Sequence, residues 1–221
     1  YNPAYSNFCY EWTFMPGQTA HMDTPVIPTM AFAAGYNLPD CAYADATPGV
    51  GEVDGSDANG NPVVGPWVAA AGLSLTIYTI NGKNTPSGVI AGDMVVPNSA
   101  YSGPAATAAP FNQKTITRHY GFGAAAGSVS IGGVQVPAAN ITSWSDTAIN
   151  LTVPTGIPAC AIQQQAQYVP AGTSVASCGE LVVTAANGKQ SIDSVTVTIG
   201  GKAPTFVPMN QPTIQAAIDA A

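Results

Sequence analysis

The chain has 221 residues, of which 46% are apolar and only 8% charged; an average soluble domain carries about 25% charged residues. A core can be built, but its surface must be made of Ser, Thr, Asn, Gly and Ala. Twelve acids against five bases leave a net charge of −7. That excludes nucleic acid and anionic membrane surfaces as partners, since neither finds a basic patch. The hydrophobicity excludes an intrinsically disordered composition. No run of 18 apolar residues exists, so no membrane insertion is expected.

Gly (23) and Pro (19) punctuate the chain throughout. Both interrupt helices. The longest stretch free of either, residues 138–153, alternates like a strand in its second half. An all-β fold of short strands and turns is therefore expected.

Residues 1–46 read as an N-terminal strand and loop segment. Phe8, Tyr10, Trp12 and Phe14 fall on one face of a period-two run, with Cys9, Glu11 and Thr13 on the other. This aromatic strand fits a core position. As an interaction strand it would instead pair with an exposed sheet edge of a neighbouring copy or module.

In residues 47–80, Asp54 to Pro62 forms a polar turn. Leu73, Leu75 and Ile77 then alternate with Ser and Thr as a half-buried strand. Asn81-Gly82 is a hairpin-turn signal. The weakly patterned stretch 81–115, with Ser99–Pro110 free of any apolar period, reads as an insertion or surface loop.

Residues 116–200 are the clearest part. Val129 and Ile131, then Ile149, Leu151 and Val153, then Leu181 and Val183, then Val195, Val197 and Ile199 mark strands. Gly132-Gly133 and Asn187-Gly188 mark turns between them. This spacing predicts a β-sandwich. At the C-terminal end, Ile214, Ala217, Ile218 and Ala221 follow i, i+3, i+4, i+7 behind a capping Thr213, which predicts one short helix.

The pieces Tyr120-Gly-Phe-Gly, Ser128-Val-Ser-Ile-Gly-Gly, Ile141-Thr-Ser-Trp-Ser-Asp-Thr-Ala-Ile149, Val153-Pro154, Gly179-Glu-Leu-Val-Val and Val195-Thr-Val together resemble an IPT/TIG domain. Gly65-Pro66 and Gly72-Leu-Ser-Leu-Thr-Ile77 resemble that family's opening strand. The resemblance implies an immunoglobulin-like β-sandwich over residues 47–204, interrupted by an insertion at about 81–115. A C-terminal linker and short helix over 205–221 would follow. It also implies a non-enzymatic spacer or binding module with no catalytic residues, at the cell surface or outside the cell. Residues 213–221 are similar to the entry of a secreted right-handed β-helix. The segment from Gly17 to Pro28 is similar to segments of large bacterial surface proteins.

The chemistry-bearing residues are few. Four cysteines in a Lys-poor, Ser/Thr-rich chain suggest an oxidising compartment. Four allow three pairings, of which the sequence-local one, Cys9–Cys41 and Cys160–Cys178, is favoured. Asp54, Asp57, Asn59 and Asn61 offer hard oxygens of the kind calcium takes. However, Pro62 and Val68 stand where a calcium loop needs Gly and Glu. His21-Met22-Asp23 holds ligand atom types but lacks the second His and free Cys of a blue-copper site, so calcium is the one ion to test first and no other cofactor is expected. Asn140-Ile-Thr142 and Asn150-Leu-Thr152 are glycosylation sequons. Gly121–Gly127 lacks dinucleotide-loop spacing, and His119 beside Arg118 reads as structural.

Two functional readings stand beside the module. One is a self-assembling filament subunit joined by strand exchange. The other is an accessory region of a carbohydrate-active β-helix enzyme. The partners expected are neighbouring immunoglobulin-like modules, copies of the chain itself, or carbohydrate.

Overall fold

The computed structural model describes residues 41–160, 175–192 and 195–220. The aromatic strand Phe8–Phe14 and Cys9 lie outside the described residues. The chain divides into two compact units. Of the described residues, one holds 41–45 and Asp93–His119; the other holds Ala46–Gly92 and those from Tyr120 onward.

The second unit is an all-β sandwich. Its first sheet is built from β1 (Val50–Ser56), β2 (Pro62–Val64), β4 (Ser74–Thr79), β9 (Ile141–Trp144) and β10 (Ala148–Thr152), in the order β2-β1-β4-β10-β9. Its second sheet is built from β3 (Trp67–Val68), β7 (Ser128–Ile131), β8 (Val134–Gln135), β11 (Ser177–Thr184) and β12 (Val195–Ile199), in the order β3-β12-β11-β7-β8. All pairings are antiparallel except β3 with β12.

Alternation in the sequence decides which side chains meet. Leu75 and Ile77 on β4 and Ile149 and Leu151 on β10 point inward from the first sheet. Val129, Ile131, Leu181, Val183 and Val197 point inward from the second. All of these are at most 1% exposed and belong to one apolar cluster. Burying one such side chain is worth about 1.5–3 kcal/mol. The intervening positions are mostly Ser, Thr and Asn, with Tyr78 on β4 and Glu180 on β11, so both outer faces are largely polar. The strand at 73–77 and the strands at 128–199 thus share one core.

Turn chemistry sets the connections. Gly132 and Gly133 have φ of 59° and 77° and join β7 to β8 as a two-residue turn, with Ile131 opposite Val134. Both central residues have φ > 0, as a type I′ turn requires. Asn187-Gly188 closes a second return, where Ala185 N–H donates to the Lys189 carbonyl at 2.9 Å. Asn81-Gly82 behaves differently. Asn81 takes φ 56°, but β4 pairs with β1 and β10 on its two sides. The turn therefore redirects the chain instead of returning it along β4.

Two distant pieces of the sequence form one corner of the sandwich. Phe122 is fully buried, and its ring meets that of Trp144 edge-on, with centroids 6.5 Å apart. Trp144 Nε1 donates to the Gly123 carbonyl at 2.9 Å. Asp146 accepts from Phe122 N–H through its carbonyl at 2.8 Å, and from Gly123 N–H through its carboxylate at 2.9 Å. Gly-Phe-Gly and Trp-Ser-Asp are thus one structural unit.

The first unit contains β5 (Asp93–Pro97) and β6 (Thr115–His119), paired antiparallel with Asp93 opposite His119 and Pro97 opposite Thr115. The sandwich therefore resumes at Tyr120, not at 116. Asn98 organises the connecting loop. Its Nδ2 donates to the carbonyls of Pro110 and Gln113, both at 2.7 Å. Its Oδ1 accepts from Ala100 N–H at 3.0 Å.

The one α-helix among the described residues is α1 (Ile214–Asp219). Thr213 caps it, accepting from Ala216 N–H at 3.1 Å. The apolar stripe predicted for it is present, but Ile214 and Ile218 remain 71% and 61% exposed.

Ile77 lies on the central strand β4 at the middle of the shared core. Ile77→Ala is expected to destabilise the sandwich by about 2–5 kcal/mol. Urea unfolding followed by tryptophan fluorescence checks this; a loss below about 1 kcal/mol would contradict the single-core packing.

Candidate functional site

Three charged side chains meet on the outer face of the first sheet. Residues two apart on a strand share a face, so Glu52 and Asp54 stand side by side on β1. They are paired across the sheet with Tyr78 and Thr76 of β4. The turn after β4, held by Gly82 N–H donating to the Thr79 carbonyl at 2.8 Å, brings Lys83 back over β1. Lys83 Nζ lies 2.5 Å from Asp54 Oδ2 and 2.6 Å from Glu52 Oε1, and 5.7 Å from the centre of the Tyr78 ring.

The three residues differ in environment. The Asp54 side chain is 10% exposed, Lys83 24% and Glu52 39%. Asp54 Oδ1 is buried and has no hydrogen-bond partner. The Asp54 and then the Glu52 carboxylate, accepting from Lys83, push its pKa up from 10.5 to about 12. A raised ammonium pKa stabilises the fold below the unfolded value of 10.5, and that stabilisation is lost as pH rises towards 12.

The expected calcium ligands are divided between this cluster and the turn beyond it. Asp54 belongs to β1 and faces Lys83, which already supplies a positive charge there. Asp57 Oδ1 accepts from the backbone N–H of Asn59 at 2.9 Å and of Asn61 at 2.8 Å. Its Oδ2 accepts from Asn61 Nδ2 at 2.9 Å. Asp57, Asn59 and Asn61 thus satisfy one another within the turn. Among the described residues no three His, Cys, Asp or Glu side chains converge.

Cys160 and Cys178 are joined, with Cα atoms 4.7 Å apart. They link the segment after β10 to β11. Cys41 is also disulfide-bonded, and its expected partner Cys9 lies outside the described residues. Of the sequon residues, Asn150 lies in β10 and Asn140 ends the 3-10 turn before β9. Asn150 Nδ2 donates to Ser143 Oγ at 2.7 Å, and its Oδ1 accepts from Thr76 Oγ1 at 2.7 Å. Asn140 Nδ2 lies 3.4 Å from the Thr152 carbonyl.

In the first unit, His119 Nδ1 lies 2.7 Å from Asp93 Oδ1. Asp45 accepts from His119 N–H at 2.7 Å. Arg118 donates to the Ala42 and Tyr43 carbonyls at 2.9 and 2.8 Å. His119 and Arg118 tie residues 42–45 to β6.

A groove of about 210 Å³ opens beside the parallel pairing of β3 and β12, lined by Val64, Pro66, Trp67, Thr198, Lys202 and Pro204. Trp67 Nε1 donates to the Gly200 carbonyl at 2.9 Å, which fixes the indole plane at the groove wall.

Sequence reasoning passed over Lys83 and Trp67. The i, i+2 placement of Glu52 and Asp54 on a strand was the signal for the first, but no pattern announces that a turn lysine folds back over them.

No family model matches the chain, and no curated protein matches it. No helix of the described residues is long and apolar enough to cross a membrane.

The Asp57 carboxyl is held below its ordinary 3.8, chiefly by the Asn61 side chain and then by the Asn61 backbone N–H. Its stabilising contribution is therefore complete above 3.8 and lost as pH falls through the lower folded value. In an NMR titration, the Asp57 carboxyl is expected to titrate below 3.8 and to move back towards 3.8 in Asn61→Ala; equal midpoints would contradict the turn geometry.

Proposed function

We propose that the chain is a non-enzymatic structural or binding module of the IPT/TIG immunoglobulin-like type, part of a larger extracellular or cell-surface protein. The observation that carries this is how the last strand of the sandwich is anchored. β12 is hydrogen-bonded on both sides, antiparallel to β11 and parallel to β3. The Trp67 indole fastens Gly200 immediately beyond it. Gly200 N–H also donates to the Val68 carbonyl at 2.8 Å. A strand held on both edges transmits force along the chain without peeling from the sheet, which suits a spacer between other domains.

The clasp of Phe122, Trp144 and Asp146 supports the family part of the reading, since it joins two of the sequence pieces that carry the resemblance. The Cys160–Cys178 disulfide fits an oxidising compartment. The largely polar outer faces suit a module whose neighbours vary.

A second reading, carbohydrate binding, is favoured by the Trp67 groove. An indole fixed at one wall, prolines, and the hydroxyl and ammonium donors of Thr198 and Lys202 are the materials of a saccharide subsite.

Two measurements test these readings. Size-exclusion chromatography with light scattering, in calcium and in chelator, is expected to give a monomer of the sequence mass in both. A polymeric mass would overturn the spacer reading in favour of a self-assembling filament. In a panel of insoluble polysaccharides, binding that disappears in Trp67→Ala would establish the second reading. No retention of the wild-type chain on any of them would remove it.

A further inference from the structure

The contact between Lys83, Asp54 and Glu52 has a chemistry beyond ion pairing. It places an amine, a buried carboxyl and a second, more exposed carboxyl within hydrogen-bond reach of one nitrogen: 2.5 Å to Asp54 Oδ2 and 2.6 Å to Glu52 Oε1. We propose that Lys83 and Asp54 condense to an intramolecular amide, with Glu52 carrying the protons.

The atoms balance without any co-reactant. An ammonium and a carboxylate give one amide and one water. Lys83 Nζ forms a bond to Asp54 Cγ, and the bond from Cγ to Oδ2 breaks. The nitrogen keeps one of its three protons. Glu52 Oε1, in contact with the same nitrogen, takes the other two in succession and delivers them to the departing Oδ2. The first transfer converts the ammonium, which has no lone pair, into the attacking amine. Nothing is oxidised or reduced.

Three features of the site favour the amide over the ion pair. The fold holds nucleophile and electrophile together, which removes the entropic cost of bringing them into contact. Asp54 is more than nine-tenths buried, and its Oδ1 has no donor. An ionised carboxylate with a bare buried oxygen is costly, and a neutral carbonyl in the same place is much less so. Condensation turns Oδ1 into that carbonyl and cancels both charges. The competing internal nucleophile, the Gly55 nitrogen that would close an Asp-Gly succinimide, donates instead to the Gly65 carbonyl at 2.9 Å.

The product ties β1 to the turn after β4 by a covalent link independent of the disulfides, across a separation of 29 residues. It goes beyond the module reading and does not depend on it.

Intact-mass spectrometry of the reduced, folded full chain is expected to show a mass lower by one water than the sequence requires. Tryptic digestion is expected to leave Lys83 uncleaved, and fragmentation to show residues 54 and 83 in one joined pair. Glu52→Gln keeps both reacting groups and is expected to give the full mass with an unchanged circular dichroism spectrum. Lys83→Arg and Asp54→Ala are expected to give the full mass as well. The link also removes a titration: the unlinked pair loses stability as pH rises from 10.5 towards 12, whereas the linked chain has no such transition in its melting temperature. A folded wild-type chain of full mass, with Lys83 cleaved by trypsin, overturns the proposal. So does a water loss that maps to Asp54-Gly55 alone and reverts in mild base, which is a succinimide. A joined pair in Glu52→Gln overturns the role given to Glu52.

Discussion

Burial of one face of each sheet against the other is the interaction on which everything else here depends. With so few charges, the chain has little electrostatic means of holding its shape. It folds because alternate residues of β4, β10, β11, β7 and β12 supply Leu, Ile and Val to a common interior. Most of the remaining positions of those strands are left to Thr, Ser and Asn, and some of these hydrogen-bond across the outer face of the first sheet. The row from Thr76 through Asn150 to Ser143 spans three strands in this way.

The edges of that core are closed by specific polar contacts. Thr79 is a buried hydroxyl on an otherwise apolar face. Its Oγ1 lies 2.9 Å from the Tyr120 carbonyl and 3.1 Å from that of Gly49, so its single proton is shared between them. Gly92 and Tyr120, where the chain leaves and re-enters the sandwich, are joined by a 2.7 Å hydrogen bond from Tyr120 N–H to the Gly92 carbonyl. The sandwich thus seals its own ladder at that point, which is why 27 residues (93–119) can form their own hairpin without interrupting the core. The Phe122–Trp144 corner and the Trp67 anchor complete the closure, each with an indole N–H spent on a backbone carbonyl.

Legibility followed the range of the interactions. Period-two runs such as Ser128–Ile131 and Val195–Ile199 were readable because a strand's faces are written in adjacent letters. Gly132-Gly133 was readable because two positive φ values need glycine. Thr213 was readable because a cap is local. Asn81-Gly82 misled: the same dipeptide serves a hairpin or a redirecting turn, and only the pairing of β4 on both sides distinguishes them. The β5–β6 hairpin was missed because Met94 and Val95 remain exposed, so no face was written as apolar against polar.

The candidate site divides the same way. The sequence by itself determined the fold class, the inward residues, the Gly132-Gly133 and Asn187-Gly188 turns and the Thr213 cap, because each rests on contacts within a few residues. Only the tertiary structure decided that Asp54 belongs with Lys83 and not with Asp57, that Phe122 meets Trp144, and that Trp67 walls a groove with residues 131 to 137 positions later in the chain. Those contacts depend on which strands become neighbours, and that is settled by the packing of the whole core, which no local run of residues encodes.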